Sequence, residues 1–156
     1  MKRPITGFRQ DDEGHWVALL SCGHPQHVRH HPPMASRPWV LTEEGRRTRL
    51  GLTLDCVRCD RAEWPQGFVA CKRTPTFTET TTPPGLRKDH ATRAGVWARI
   101  VVEQGLLRYV VPALGLDETL SPGRDGTVVA EVLHHVEPLG PVRFYVEFHR
   151  REGREA

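Results

Sequence analysis

Residues 88–109, KDHATRAGVWARIVVEQGLLRY, contain the pattern that predicts the fold of the larger part of this chain. From Val96 onward the stretch is rich in β-branched and aromatic residues, which favour strands. Gln104-Gly105 interrupts this run in a way that is typical of a tight turn between antiparallel strands. We therefore predict a β-hairpin over residues 96–111, preceded by a polar cluster around His90. At the entry to a strand of a small β-barrel, such side chains reach the mouth of the barrel, where ligands bind.

The segments that follow also predict β-structure. Residues 127–133 form an apolar run of strand length, and in residues 142–149 apolar side chains alternate with polar ones, as in a half-buried strand. Residues 112–126 contain two prolines and three glycines and predict a loop. The sequence therefore favours a mainly β protein.

The composition of the 156-residue chain is that of a globular protein, with 38% hydrophobic and 26% charged residues. A net charge of +3 is too small to indicate a nucleic-acid partner. The sequence has no apolar run near the ~20 residues of a membrane helix and no export leader, so we expect a cytoplasmic protein without a membrane partner. In that compartment its four cysteines are expected as thiols or metal ligands rather than disulfides.

The first sixty residues predict a small separate module. Residues 5–20 have the pattern of a short hairpin, and Thr42 is a candidate N-cap for one helical turn. Trp64-Pro65-Gln66-Gly67 is the best candidate for a boundary, so we expect domains at residues 1–62 and 70–150. A module of this size rarely buries enough apolar surface alone, and a metal ion would supply the missing stability.

The ligands for such an ion lie in two segments of the module. Cys56 and Cys59 form a Cys-x2-Cys pair, a spacing that lets both thiolates reach one zinc ion. Cys22 is the third ligand, and His24 is favoured as the fourth because the intervening glycine lets the turn bend so that both side chains converge. A Cys-x2-Cys pair also occurs as a redox pair or by chance, but the histidine-rich turn favours zinc. The alternatives for the fourth ligand are His27 and His30.

Two resemblances add to these predictions, and the first covers roughly residues 3–60. It rests on Ile5-Thr6-Gly7-Phe8, Trp16-Val17-Ala18, Cys22-Gly23-His24-Pro25-Gln26-His27-Val28-Arg29-His30, Pro32-Pro33, Arg37-Pro38-Trp39-Val40, and Leu54-Asp55-Cys56 with Cys59. These segments resemble a small bacterial family of unknown function. The resemblance implies a shared fold but supplies no activity, so the zinc site remains an inference from its ligands.

The second resemblance covers about residues 72–150. It rests on Thr74-Pro75, Phe77-Thr78, Pro84-Gly85-Leu86, Asp89-His90, Thr92-Arg93, Gly95-Val96-Trp97, Gly105, Leu107, Tyr109, His134, Val136-Glu137 and Phe144-Tyr145-Val146-Glu147-Phe148. These segments resemble the TehB/YeaR-like family of cupin-like proteins, found alone or fused ahead of the tellurite-resistance methyltransferase. The resemblance implies an antiparallel cupin-like (jelly-roll) β-barrel, a metal or small-ligand site in its mouth, and an association with tellurite or oxyanion stress.

The chain departs from the usual metal-binding cupins, in which three histidines and a glutamate surround one ion. Here His90 stands alone in the first segment, and His134 takes the second recurring position. Two histidines leave a divalent-metal site short of ligands unless Glu103, Glu131 or water completes it. The alternative is that His90 only positions the barrel rim, through a hydrogen bond to Asp89 or to a loop carbonyl.

Three functions follow, in order of preference. The first is binding, with a metal or small anion held near His90, Arg93 and His134 in a role in tellurite, oxyanion or related stress. The second is a metal-dependent cupin enzyme with an ion at His90 and His134, disfavoured because ligands are missing and no general base is evident. The third makes the zinc module an adaptor for protein or nucleic acid. The basic residues that would contact phosphate in this role are Arg46, Arg47 and Arg49. A solvated basic loop explains them more simply.

Partners follow the same order of preference. A small molecule or anion and a second copy of the chain, as a homodimer, remain possible partners, whereas nucleic acid is disfavoured by the small net charge.

Cys71 has no second ligand at a suitable spacing and is interpreted as a lone thiol or small core residue.

Overall fold

Antiparallel β-sheet dominates both halves of the chain, as the sequence predicts. A computed structural model describes residues 1–153, and the chain divides into two units, Met1–Gln66 and Gly67–Ala156. The division falls inside the Trp64-Pro65-Gln66-Gly67 segment. Among the described residues, no helix has both the length and the apolar character that crossing a membrane requires.

The N-terminal unit is built on a four-stranded sheet in the order β3-β2-β1-β4. The predicted hairpin is confirmed, because β1 and β2 pair as antiparallel neighbours from Gln10↔Trp16 to Ile5↔Leu20. Thr42 caps the first helix through its Oγ1, which accepts a hydrogen bond from the Gly45 N–H at 3.0 Å. The elements are β1 (Lys2–Gln10), β2 (Trp16–Leu20), β3 (Pro25–His27), a 3-10 turn (Pro38–Leu41), α1 (Glu43–Arg47), β4 (Thr53–Asp55) and α2 (Val57–Asp60).

The apolar core of this unit is small. Besides three cysteines, its buried apolar side chains are Ile5, Val17, Ala18, Leu20, Val28 and Val40. So few aliphatic side chains bury little apolar surface, since each fully buried one contributes about 1.5–3 kcal/mol. The buried cysteines therefore occupy a large share of the interior, and what they bind matters for the stability of the unit.

The C-terminal unit is a six-stranded antiparallel sheet organised by two long strands, β7 and β10. These strands pair from His149↔Trp97 at one end to His135↔Val110 at the other. Strands β5 and β6 pair with β10, and strands β8 and β9 pair with β7. The elements are β5 (Phe68–Arg73), β6 (Phe77–Thr78), a 3-10 turn (Pro84–Arg87), β7 (Trp97–Val111), a 3-10 turn (Pro112–Leu114), β8 (Leu116–Leu120), β9 (Gly126–Val128) and β10 (His135–Arg151).

The hairpin predicted over residues 96–111 is wrong, because this segment is one continuous strand, β7. Gly105 lies opposite Val142, where the register between β7 and β10 shifts. Its φ is +81°, and a Cβ there would lie 2.0 Å from the carbonyl oxygen of Pro141. The glycine is needed for the close approach of β10 and not for a reversal of the chain.

The loop predicted over residues 112–126 is also partly wrong. It contains β8, which pairs with β7 from Leu107↔Leu120 to Val111↔Leu116. The prolines and glycines flank this five-residue strand: Pro112 begins a 3-10 turn that ends at Gly115, with φ +61°. The strand predicted over residues 127–133 is shorter than expected, because β9 ends at Val128 and the residues after it turn.

Candidate metal centre

Three cysteines and one histidine of the N-terminal unit converge on one buried point. Cys22, His24, Cys56 and Cys59 are each no more than 3% exposed, and their ligand atoms all lie within 4.8 Å of one another. The Nδ1 atom of His24 lies 3.5 Å from the Sγ of Cys22, 3.4 Å from that of Cys56 and 3.6 Å from that of Cys59. Within residues 1–153 this is the one group of three or more such side chains so arranged. The cluster could hold a metal ion.

The first ligand pair is delivered by the turn that joins β2 to β3. Gly23 adopts a φ of +96°, and its N–H donates to the carbonyl of Leu20 at 2.9 Å. The Leu20 N–H in turn donates to the carbonyl of His24 at 3.2 Å, closing the turn. A positive φ is unfavourable for residues with a Cβ, so glycine at this position lets Cys22 and His24 point to the same side.

The second pair is delivered by the end of β4 and the single turn of α2. Cys56 is the N-cap residue of α2, and Cys59 lies within the helix three positions later. Residues three apart on a helix lie on the same face, which explains why both sulfurs reach one point. The Cys56 N–H donates to the carbonyl of Met1 at 2.7 Å, which joins this loop to the start of β1. The Sγ atoms of Cys22 and Cys56 lie 3.9 Å apart.

The orientation of the His24 ring is fixed by the chain that follows α2. Its Nε2 lies 2.8 Å from the carbonyl oxygen of Glu63 and therefore carries the hydrogen. Ala62 has a φ of 50° and donates from its N–H to the carbonyl of Cys59 at 3.0 Å, which curls the chain back. With Nε2 protonated, the lone pair of a neutral ring lies on Nδ1, the atom that faces the three sulfurs.

The three thiols are poorly suited to ionise together in the absence of a cation. The hydrogen bond with Cys59 lowers the pKa of Cys22. That same hydrogen bond, followed by burial, raises the pKa of Cys59 to about 12, and burial raises the pKa of Cys56. A bound cation would replace the thiol protons and remove this penalty, since metal ions deprotonate their thiol ligands.

A buried arginine beside the cluster was missed by sequence reasoning. Arg3 is 4% exposed, and its guanidinium acts to lower the pKa of the Cys59 thiol. Arginine is almost never fully buried unless it is paired. The signal that could have found it is the alternation of β1, since Arg3 is two residues from buried Ile5 and shares its face.

The two alternatives for the fourth ligand have other partners. The Nε2 of His27 lies 2.9 Å from the Oδ2 of Asp11. The Nδ1 of His30 accepts a hydrogen bond from the backbone N–H of Arg37 at 2.9 Å. The structure therefore brings His24, and neither His27 nor His30, into the cysteine cluster.

The second predicted pair, His90 and His134, lies at an isolated antiparallel bridge of the C-terminal unit. Each backbone N–H donates to the other residue's carbonyl, at 3.0 and 2.9 Å, and the ring centroids are 4.2 Å apart. Each Nδ1 lies 2.9 Å from a loop carbonyl, that of Lys88 for His90 and that of Val132 for His134. In the neutral rings, Nε2 therefore carries the lone pair. Burial lowers the pKa of His134 to about 4, which keeps this ring neutral.

The other residues considered for this pair do not form a metal-ligand group with it. Glu103 accepts a hydrogen bond from Thr76 at 3.0 Å, and the side chain of Arg93 is exposed. In the described part of the chain, no third His, Cys, Asp or Glu completes a metal-ligand group with the two histidines. Glu131 has a φ of 64°, and its N–H donates to the Oγ1 of Thr92 at 3.4 Å.

The partner of His90 is the loop carbonyl that the sequence left as one of two alternatives. Asp89 instead binds His135, the residue after His134, with 2.6 Å between the Oδ1 of Asp89 and the Nδ1 of His135.

The basic residues of the adaptor hypothesis already contact other side chains of the N-terminal unit. The guanidinium of Arg46 lies 3.7 Å over the ring of Trp16, and that of Arg49 lies 4.9 Å over the ring of Trp39. Arg47 forms an exposed ion pair with Glu43 at 3.3 Å.

Comparisons with solved structures find the same kind of fold elsewhere. A crystal structure of a protein from Escherichia coli (strain K12) matches with a TM-score of 0.53 at 23% identity, over 57% of this chain and 96% of its own. The crystal structure of TehB from Haemophilus influenzae matches with a TM-score of 0.51 at 21% identity, over 55% of this chain and 32% of TehB. At these identities the likeness indicates the fold alone. A comparison with curated proteins finds none that matches.

Comparison with protein families accounts for most of the chain in two consecutive parts. Residues 6–63 match a family described as a protein of unknown function, DUF3565, and residues 72–146 match the TehB-like domain. The cysteine cluster lies entirely within the first match, and the His90–His134 bridge lies within the second. The chain therefore consists of an N-terminal DUF3565 domain followed by a TehB-like domain.

Proposed function

We propose that the N-terminal unit is a zinc-binding module and that the TehB-like unit binds a small ligand in a response to tellurite or related oxyanion stress. The observation that carries the first part is the convergence of Cys22, His24, Cys56 and Cys59. The second part rests on membership in the TehB-like family and on the pair His90 and His134. The cysteine cluster and the histidine pair lie in separate units, so each site has its own experiment.

The distances within the cysteine cluster support zinc. In a tetrahedral site with Zn–S bonds of about 2.3 Å and a Zn–N bond of about 2.1 Å, sulfurs lie about 3.8 Å apart and sulfur lies about 3.6 Å from nitrogen. The cluster has one sulfur–sulfur distance of 3.9 Å and sulfur–nitrogen distances of 3.4–3.6 Å. Three thiolates and one imidazole are a donor set that zinc prefers in structural sites. All four positions are filled by protein, so the site is structural and not catalytic.

The charge around the cluster supports the same ion. Three thiolates and one divalent cation leave a net charge of −1 in a buried place. The guanidinium of Arg3, which is buried and influences the Cys59 thiol, would balance that charge. A buried ion pair of this kind is tolerated only when the charges compensate each other.

For the TehB-like unit, we propose a cupin-like barrel with a ligand in its mouth near His90, Arg93 and His134. Support comes from β7 and β10, each of which pairs with different strands along its length and passes through a bulge. Bulges of this kind bend long strands and are frequent in barrels. The Nε2 lone pairs of the two neutral histidines are the groups that would contact a metal ion, whereas Arg93 is the group that would bind an anion. We place this role in the cytoplasm, where the thiols of the first unit stay reduced.

Metal content per chain tests the zinc proposal. We expect one zinc in untagged wild-type protein, none in Cys56→Ala, and one in the control Cys71→Ala, because Cys71 is an exposed thiol of the other unit. Wild type without zinc, or Cys56→Ala with an unchanged zinc content, would contradict the proposal. A second metal lost only in His90→Ala would mean that the TehB-like unit is itself a metal site, and the metal-dependent enzyme would then be the hypothesis to test.

The ligand proposal needs its own experiment because zinc content does not report on it. We expect tellurite to raise the thermal unfolding temperature of the zinc-loaded protein, since a ligand that binds only the folded state stabilises it. Arg93→Gln should reduce this shift, and Arg87→Gln is a matched control because Arg87 is an exposed arginine of the same unit that binds the carbonyl of Glu79. An equal tellurite shift in wild type and Arg93→Gln would count against Arg93 as a ligand residue.

A further inference from the structure

A second concave site lies in the N-terminal unit, and no residue of the cysteine cluster lines it. It is a cavity of about 450 Å³ lined by four histidines, two arginines, Met34 and Ala35. Six of its eight lining residues therefore carry side-chain nitrogen donors. We propose that this cavity binds the phosphate group of a small molecule, a role that does not depend on the function proposed for the cysteine cluster or for the TehB-like unit.

The loop that forms the cavity is held in place by its own backbone. His31 and Ala35 exchange two backbone hydrogen bonds of 2.8 Å, which close the turn between them. Arg37 donates from its side-chain Nη1 to the carbonyl of Arg29 at 3.4 Å, across the base of this turn. The backbone that carries these side chains is thus fixed before a ligand arrives, which lowers the entropic cost of binding.

The fold fixes the tautomer of one lining histidine, His30. The Nδ1 of His30 accepts the backbone N–H of Arg37 at 2.9 Å, so the hydrogen of the neutral ring lies on Nε2. His30 therefore offers a hydrogen-bond donor without first gaining a proton. A donor of this kind suits an anion and not a metal ion, which needs the lone pair.

Two further side chains of the cavity, Arg29 and His31, have donor groups that no described residue occupies. In the part of the chain that the structure describes, the guanidinium of Arg29 and the imidazole of His31 form no hydrogen bond or ion pair, and both side chains are exposed. An arginine that lines a cavity without a protein partner can direct its full set of donors to a ligand. Arg29 is the group to which we assign most of the binding.

One acidic residue, Asp11, engages two of the four histidines and leaves His30, His31 and Arg29 to a ligand. Asp11 accepts the N–H groups of Glu13 and His15 on Oδ1, at 3.0 and 2.8 Å, and its Oδ2 lies 2.9 Å from His27. The same Oδ2 lies 3.6 Å from the Nδ1 of His15, so the carboxylate is shared between its own turn and two rings. Glu13 lies 3.4 Å from His15 but is itself exposed, so water screens its charge.

Phosphate fits this arrangement better than a carboxylate or a metal ion. Donors that surround a cavity suit the tetrahedral oxygens of phosphate, whereas a planar carboxylate is satisfied by one bidentate arginine. The cavity is also larger than an inorganic phosphate needs, and Met34 and Ala35 supply an apolar wall for an organic substituent. Among the described residues, the cysteine cluster is the one group of three or more such side chains arranged to hold a metal ion, so the four histidines do not form a preformed metal site.

The test uses the full-length, zinc-loaded protein, with inorganic phosphate and phenyl phosphate as probes and calorimetry or amide chemical shifts as the readout. We expect saturable binding of one phosphate per chain, tighter binding of phenyl phosphate, and the largest shifts at residues 29–37. Arg29→Gln should weaken phosphate binding by about tenfold, the effect of losing a charge-assisted contact. Arg47→Gln is the matched control, because it removes the same charge from an exposed position of the same unit.

Four outcomes would overturn the proposal. These are the absence of saturable binding, equal weakening by Arg29→Gln and Arg47→Gln, equal affinity for acetate and phosphate, and a preference for a short oligothymidylate over phenyl phosphate. The second would mean general electrostatic attraction, and the last would assign the phosphate contacts to nucleic acid. Unchanged amide shifts outside residues 27–37 in Arg29→Gln would show that the variant folds, which separates loss of binding from loss of structure.

Discussion

The imidazole of His24 donates a hydrogen bond from Nε2 to the carbonyl oxygen of Glu63 at 2.8 Å. This contact joins the turn after β2 to the chain after α2, and it directs Nδ1 towards the sulfurs of Cys22, Cys56 and Cys59. A carbonyl that fixes the tautomer of a ligating histidine is a common outer partner in metal sites. The proposed fourth ligand is thus positioned by a backbone group that no side-chain motif encodes.

Replacement of His24 should separate the need for a ligand from the need for histidine. We expect His24→Ala to lower zinc affinity by at least about 100-fold, because a lost ligand costs more than a lost outer contact. His24→Cys should retain one zinc per chain, since four thiolates also form a structural zinc site. Competition with a chromophoric chelator measures both affinities. Equal zinc affinity for wild type and His24→Ala would mean that the histidine is not a ligand.

Arg3 should contribute to zinc affinity through charge. We expect Arg3→Met to lower the affinity by about 10–100-fold, because the variant keeps the apolar stem but leaves the negative charge of the zinc–thiolate cluster uncompensated. Lys2→Met is the matched control, since Lys2 is the exposed neighbour on the same strand. The same chelator competition measures the effect. If both variants lose affinity equally, the effect of Arg3 is one of general charge and not of its buried contact.

The convergence of Cys22, His24, Cys56 and Cys59 could be predicted from the sequence because its signals are local. Cys-Gly-His and Cys-x2-Cys contain both the donor atoms and the spacing that lets them converge, and the structure brings these four side chains together. Arg3 and Glu63 could not be predicted in the same way. Their contacts depend on the pairing of β1 with β4 and on the reversal of the chain after α2, which are tertiary features.

Gly105 illustrates the opposite case, in which a local signal has two structural meanings. A Gln-Gly pair within an apolar run is compatible with a hairpin turn and with a bulge in a continuous strand. The choice between them depends on Pro141, which lies far away in sequence and approaches the glycine in the sheet. The class of the fold follows from such patterns, but the connection of its strands depends on contacts that the pattern does not contain.

Gly105→Ala should destabilise the TehB-like unit strongly. The added Cβ would meet the carbonyl oxygen of Pro141 at 2.0 Å in a backbone conformation with φ +81°. We expect a loss of at least about 3 kcal/mol, the sum of left-handed strain and a backbone clash. Gly140→Ala is the control, because its φ is +100° but no atom lies within 4 Å of the added Cβ. It should cost only about 1–2 kcal/mol of strain.

Chemical denaturation followed by the amide signals of β7 and β10 measures both glycine variants within the TehB-like unit. The difference between them isolates the clash from the strain. Equal losses in the two variants would mean that the strands separate at Gly105 without cost, which would contradict the role assigned to the close approach of β10.

The last prediction concerns the stability of the TehB-like unit in mild acid. His134 is 4% exposed, and burial lowers its pKa from 6.5 to about 4. Between these values the unfolded chain binds a proton that the folded chain does not, so the free energy of unfolding falls as the pH falls. The stability that the neutral His134 ring contributes to the folded state is complete above pH 6.5, and most of it is lost by pH 4. Its size is roughly 3 kcal/mol for a shift of this magnitude.

His134→Asn should remove this part of the pH dependence, because the asparagine amide can replace the Nδ1 donor to Val132 but cannot gain a proton. Unfolding followed at the amides of β7 and β10 between pH 7.5 and 4.5 measures the slope, and these signals exclude the acid loss of zinc from the other unit. His135→Asn is the control, since His135 binds Asp89 and influences His134 less than burial does, so most of the slope should remain. A slope that persists in His134→Asn would mean that another group of this unit carries the acid sensitivity, whereas a slope that disappears would establish that the ring facing His90 is neutral in the folded protein.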